Sequence, residues 1–231
     1  MNGLLLIDKP KDWTSFDAVN YVRAVVARAE GKKPRGVKVG HIGTLDPAAT
    51  GLLVLCVGKY TKKVQELIGH DKEYEAEITF GATSDTGDAE GKITEFAPKR
   101  DQEPSEQELK DAMAGFIGEI EQTPPAYSAL KVNGKRAYEL ARAGKEVKLS
   151  PRKVTLYSIE LLDYKWPVAN IRCRVSSGTY IRVLAEDIGK NLEVGAYLSG
   201  LRRTAIGDWS VEDAEGPKSI SVDNVEEKLL A

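Results

Sequence analysis

Asp46 is the first residue in this chain that joins a reactive group to a restrained backbone. In Gly43-Thr44-Leu45-Asp46-Pro47 the carboxylate precedes a proline, an order that starts helices: the acid caps unpaired N–H groups and the proline takes the first helical position. On local pattern alone this is a capped one-turn segment closed by Gly51, and the same ionised carboxylate is also a nucleophile in chemical terms. Arg182 stands four residues before Glu186, a spacing that on an exposed helix gives a modest ion pair. The two histidines, His41 and His70, offer no ligand cluster. Cys56 and Cys173 lie in apolar runs without CxxC spacing and read as buried free thiols. Neither a glycine-rich phosphate loop nor a dinucleotide fingerprint is present.

The elements that must position these groups follow from hydrophobic pattern. Residues 3 to 7 form a buried strand closed by Asp8-Lys9-Pro10, and a helix starts at Thr14 or Ser15 with Phe16, Val19, Val22 and Val26 as its apolar stripe. The run Gly51 to Gly58 predicts a strand buried on both faces. From Lys72 to Phe80 apolar and polar residues alternate, which turns Tyr74 inward. Ser105-x-x-Glu108 is a capping box, and Leu109, Met113, Phe116, Ile117 and Ile120 give the helix after it a buried side. After Pro124-Pro125 a loop-rich segment follows before strand patterns resume at Val154 to Leu162 and again around Ile171, Cys173 and Val175, ahead of a helix from Tyr180. Strands and helices are interspersed without a βαβ repeat. This predicts an α+β fold, a mixed and largely antiparallel central sheet flanked by helices, in one domain over 1–231 with an insertion at about 124–150.

The chain has 231 residues, 42% of them apolar and 29% charged, an ordinary balance for a folded globular protein. The net charge of −2 announces no nucleic-acid partner, but its distribution does. Between Ser128 and Lys153, Lys131, Lys135, Arg136, Arg142, Lys145, Lys148, Arg152 and Lys153 face only Glu139 and Glu146, whereas the segment from Asp208 onward is acidic. A basic side suited to phosphates results. The apolar run Leu4-Leu5-Leu6-Ile7 is too short for a secretion signal or a membrane span, so a cytoplasmic protein that does not enter membranes is expected.

Extended to Gly40-His41-Ile42-Gly43-Thr44-Leu45-Asp46-Pro47-Ala48-Ala49-Thr50-Gly51, the aspartate segment resembles the catalytic motif of TruB-type tRNA pseudouridine-55 synthases. Other blocks agree in order: Gly3 to Pro10; Lys72 to Ala76 with Ser84-Asp85-Thr86-Gly87-Asp88; Gln122 to Lys131; Ser177 to Arg182; and Leu201-Arg202-Arg203-Thr204. Ile42, where relatives often carry threonine, and a longer connection at 30–36 depart from the pattern. The resemblance implies isomerisation of uridine 55 in the tRNA T-arm to pseudouridine without metal or cofactor. It implies Asp46 as nucleophile, Arg182 as the cation offsetting its desolvation, and Tyr74 as the surface receiving the flipped uracil. His41, Tyr180 and Leu201 would contact the RNA or line the pocket, and Lys131, Lys135, Arg136 and Arg142 would grip the RNA arm from a thumb-like insertion. The partner expected is the T-arm stem-loop of tRNA, met by a monomer. Many relatives continue into an RNA-binding domain of the PUA type, and this chain reads as a short form without one. Two other readings use the same residues: a non-catalytic tRNA-binding or tRNA-folding protein on this fold, and a glycosylase with an aspartate nucleophile. The set Asp46, Tyr74 and Arg182 argues against the first, since a binder has no need of a paired buried charge.

Overall fold

Seven residues from Gly3 to Lys9 form β1, pairing antiparallel along their whole length with β3, Thr50–Val57. The structure is a computed structural model that describes residues 1–97, 103–128, 130–132, 134–145, 147 and 149–230. It contains two compact units, Met1–Tyr74 with Leu201–Ala231, and Glu75–Gly200. Among the described residues, no helix is long and apolar enough to cross a membrane.

In the first unit, β3 is buried on both faces, as its uninterrupted apolar run predicts. One face, with Leu53, Leu55 and Val57, joins Leu5 and Ile7 of β1 and the helix α1, Ser15–Ala29, through Ala18, Val19, Val22 and Val26. The other, with Leu52, Val54 and Cys56, packs on Leu4, Leu6, Ile42, Ile206 and Val211. Thr14 caps α1 through a capping box with Asp17. Phe16 does not join the stripe: it is 59% exposed. At 100° per residue Phe16 projects beside Asn20 and Arg23, about 120° from Val22, so chaining it to Val19 by one i,i+3 step misplaced it. The short strand β2, Val39–Ile42, pairs antiparallel with β3 and sets His41 opposite Leu55. A short helix α2, Val64–Leu67, precedes β4, Lys72–Phe80.

The second unit holds β5, Ala82–Ser84, paired with β6, Ile93–Glu95, and then α3, Glu106–Ala114, under the expected capping box of Ser105 with Glu108. Leu109 and Met113 are buried as predicted. Gly115 ends the helix, however, and Gly118 at φ +112° opens a strand, β7 (Gly118–Gln122), so Ile117 is exposed and Ile120 belongs to β7. Two-residue strands β8, Lys131–Val132, and β9, Lys135–Arg136, form a small hairpin before α4, Ala137–Arg142. The long strand β10, Arg152–Lys165, pairs antiparallel with both β7 and β11, Val168–Val175. Helix α5, Ile181–Asn191, buries Ile181, Leu184, Ala185 and Ile188. Both β4 and β12, Ala196–Ile206, contribute residues to each unit, and β13, Trp209–Ser210, pairs with β12.

The hydrogen-bonded order is β1-β3-β12-β4-β11-β10-β7, with β2 on β3 and β13 on β12. Pairing of β3 with β12 is parallel. The sheet is therefore mixed and mainly antiparallel, the α+β architecture expected from interspersed elements.

Candidate active site

The segment carrying Asp46 leaves β2 at Gly43, whose φ of +78° favours glycine, and enters β3 at Thr50. No helix starts here. The Ala49 N–H donates to the Asp46 carbonyl at 3.1 Å, closing a turn, and from Gly51 onward the backbone is committed to the β1 ladder. The capping pattern thus yields a tight turn with Asp46 exposed at its first position.

Three buried side chains hold this turn by its main chain. Ser15 Oγ accepts from the Leu45 N–H at 2.8 Å and donates to the Leu45 carbonyl at 3.0 Å. Lys9, fully buried at the end of β1, donates from Nζ to the carbonyls of Trp13 at 2.6 Å, Pro10 at 3.0 Å and Pro47 at 3.3 Å. Arg203, 1% exposed on β12, donates from Nε to the Leu52 carbonyl at 2.8 Å and from Nη2 to the Gly43 carbonyl at 3.0 Å. Gly51 makes this approach of β12 passable: a Cβ there would stand 2.2 Å from the Arg203 carbonyl oxygen.

Burial pushes the Lys9 ammonium down from 10.5 to about 8, opposed first by the Asp46 carboxylate and then by Asp12, and reinforced by Arg203. Lys72, at the start of β4, is likewise pushed to about 8 by burial and by Arg203, with Asp71 opposing; its Nζ donates to the carbonyls of His70 at 2.5 Å and Ile68 at 2.8 Å. The Asp46 carboxylate therefore sits in the field of buried Lys9.

Of the other residues singled out from sequence, His41 is half-buried on β2 and Tyr74 points inward from β4 at 8% exposure, as alternation predicts. Leu201 is half-buried on β12, next to Arg202, which makes a two-pronged ion pair with Asp8 at 2.8 and 3.0 Å. His70 stacks edge-on against Trp209 with centroids 5.4 Å apart, a structural role. These residues share the first unit with Asp46.

Tyr180 and Arg182 belong to the second unit. Tyr180 precedes α5, and its backbone N–H and carbonyl are both read by the amide of buried Gln122, at 3.0 and 3.2 Å. Arg182, 8% exposed, is not the solvent-facing partner of Glu186 that its spacing alone suggests. Its guanidinium pairs with Asp88 at 3.1 Å and donates to the carbonyls of Thr86 at 3.2 Å and Tyr127 at 3.0 Å. Asp88 is itself fixed by the Thr86 hydroxyl at 2.7 Å and the Glu90 N–H at 3.1 Å. The side chains of Lys131, Lys135, Arg136 and Arg142 lie outside the described residues.

Sequence reasoning places Lys9, Asp88, Gln122 and Arg203 within the matching blocks and Ser15 at a helix start, but gives none of them a part in the site. A signal existed for two of them: Lys9 continues the inward alternation of Leu5 and Ile7, and Arg203 alternates with outward Arg202. A cation on the apolar face of a strand needs a partner, and here the partners are carbonyls of distant loops.

A family model described as TruB family pseudouridylate synthase (N terminal domain) matches residues 30–181. The chain is 47% identical over 210 residues to tRNA pseudouridine synthase B of Phocaeicola vulgatus, covering 91% of this chain and 88% of that protein. It is 50% identical over 216 residues to tRNA pseudouridine synthase B of Cupriavidus metallidurans, covering 93% of this chain and 65% of that one. A solved crystal structure of a Cbf5-Nop10-Gar1 complex contains a chain that superposes with a TM-score of 0.70 at 30% identity, covering 96% of this chain and 54% of that one.

Proposed function

The chain belongs to the TruB family of pseudouridylate synthases, and we propose that it isomerises uridine 55 in the T-arm of tRNA to pseudouridine with Asp46 as the nucleophile. The observation that carries this reading is an exposed carboxylate on a turn whose main chain is clamped from below by Ser15, Lys9 and Arg203. Nucleophilic catalysis needs a charged oxygen held in place before the substrate arrives, because ordering a loop during the reaction raises the barrier.

In this reading the target uridine leaves the stack and Tyr74 receives its base. Asp46 assists cleavage of the N1–C1′ bond, the uracil turns while bound, and a bond forms between C5 and C1′. The uracil leaves C1′ through N1 and returns through C5, the C5 proton is lost and N1 gains one, so the product is an isomer and no oxidant or reductant is involved. When RNA covers Asp46 it displaces water, and a neighbouring cation must then offset the desolvation. Arg182 fills that role in our reading, held ready by Asp88 and by the Thr86 and Tyr127 carbonyls. His41, Tyr180 and Leu201 would shape the pocket, and the basic residues Lys131, Lys135, Arg136 and Arg142 would meet phosphates, giving binding that weakens with salt.

The test is a tRNA transcript tritiated at uridine C5, incubated with the purified protein, with tritium release timed and pseudouridine mapped. Wild-type protein should modify the T-arm uridine, and Asp46→Asn should lose on the order of 10⁴-fold or more in rate, as removal of a nucleophile does elsewhere. Absence of pseudouridine from every T-arm uridine would refute the assigned substrate. An Asp46→Asn protein of near wild-type rate would refute the nucleophile.

A further inference from the structure

Phe16 is an apolar aromatic residue left 59% exposed in the first turn of α1, although the buried face of that helix is complete without it. Single exposed apolar residues are common on protein surfaces, so exposure alone assigns nothing. Two further features do. The Arg23 guanidinium lies 5.7 Å from the Phe16 ring centroid, within cation–π range, and is held there by the Asn20 side-chain oxygen at 2.7 Å and the Val39 carbonyl at 3.4 Å. The pair is also tethered on both sides to the site described above. Ser15, the residue before Phe16, grips Leu45 next to Asp46, and Val39, which accepts from Arg23, begins the strand bearing His41.

We infer that Phe16 and Arg23 form a stacking platform for an unpaired nucleotide next to the target uridine in the RNA loop. The inference rests on the RNA-modifying reading above and adds to it a contact outside the catalytic turn. A base expelled with the target loses its stacking neighbours, and an aromatic face or a guanidinium plane replaces them without regard to base identity. Phe16 supplies the ring. Arg23 supplies a planar cation that also suits the adjoining phosphate. Because the helix turn carrying Phe16 is bonded to the Asp46 turn through Ser15, a base stacked on Phe16 would help fix the register of the target nucleotide.

The experiment uses a T-arm stem-loop RNA with wild-type protein, Phe16→Ala and Phe16→Tyr, reading KM, kcat, a direct Kd by fluorescence anisotropy, and the thermal midpoint. Phe16→Ala should raise Kd and KM by about 5- to 100-fold, the range for loss of one base–aromatic stack, with the loss falling on KM and not on the thermal midpoint. Phe16→Tyr should restore most of the affinity. An abasic site at one loop position beside the target should weaken wild-type protein by a similar factor and Phe16→Ala no further. A Phe16→Ala Kd within twofold of wild type overturns the platform, whatever the turnover. Wild-type protein that binds the stem-loop and makes no pseudouridine overturns the reaction but leaves the Kd comparison to decide the platform. Failure of wild-type protein to bind the RNA at all overturns both.

Discussion

Raising the pH from 7 to 9 should slow the enzyme without weakening the fold, because Lys9 loses a proton that its three acceptors need. Its Nζ is fully buried and serves the carbonyls of Trp13, Pro10 and Pro47, and its pKa has moved from 10.5 to about 8. That displacement favours the neutral amine relative to the unfolded chain. Between pH 8 and 10.5 the unfolded chain still binds a proton that the native one has released, so this linkage stabilises the fold as pH rises through the window. Lys72, also at about 8, contributes with the same sign. Catalysis moves the other way. A neutral amine has two N–H donors for three carbonyls, and the longest bond, 3.3 Å to Pro47, is the one to go. Pro47 directly follows Asp46 and keeps its bond from the Asp12 N–H at 2.9 Å, so loss of the charged donor costs at most about 1.5–3 kcal/mol, or up to roughly 10- to 100-fold if it appears as turn disorder in the rate. The assay is kcat/KM for pseudouridine formation from pH 7 to 9, beside thermal unfolding over the same range. An apparent pKa near 8 is expected in the first and no fall in the second. Lys9→Met should be slow at every pH, with no step near 8. A flat wild-type profile, or a step that persists in Lys9→Met, would refute the assignment.

Two substitutions probe the rest of the clamp. Ser15→Ala leaves both backbone groups of Leu45 without their partner in a buried setting, and should lower unfolding free energy by about 1–3 kcal/mol while slowing turnover by more than the fraction unfolded explains; equal rates per folded molecule would show that Ser15 is only structural. Gly51→Ala puts a methyl group 2.2 Å from a main-chain oxygen at φ +99°, a clash that no rotamer relieves, so a loss of several kcal/mol in denaturant unfolding is expected, and a loss under about 0.5 kcal/mol would mean that β3 and β12 do not approach so closely.

The sheet was legible in the sequence because burial on two faces and burial on one write different patterns. The run from Gly51 to Gly58 is apolar throughout and became β3, while the alternation from Lys72 to Phe80 became β4 with Tyr74 inward. Helix starts were legible too, since their bonds are local: Ser105 with Glu108 reads as a capping box, and the start at Thr14 or Ser15 resolves to Thr14, boxed with Asp17. Misreadings came where angle or punctuation decides. Phe16 lies one i,i+3 step from Val19 but off the stripe of Val22 and Val26, and the apolar pattern runs on past Gly115 although two glycines, Gly115 and Gly118, interrupt the helix. The clamp was least legible. Lys9 reaches Pro47 across 38 residues and Arg203 reaches Gly43 across 160, and no local pattern encodes such a pairing.

The form of the clamp bears on what mutation of the nucleophile can show. Lys9 and Arg203 hold the turn through the carbonyls of Pro47, Gly43 and Leu52, and Ser15 through the main chain of Leu45. These bonds hold the turn through groups other than the side chain at 46. A carboxylate that had to anchor its own loop would lose position and reactivity together when replaced. Here an asparagine at 46 keeps these main-chain bonds, and Lys9 loses the field of one carboxylate. The Asp46→Asn comparison thus isolates the charge of one oxygen group from the geometry that presents it. A large rate loss with an unshifted thermal midpoint would locate the defect in chemistry, whereas a matching loss of stability would mean that the carboxylate holds the turn as well.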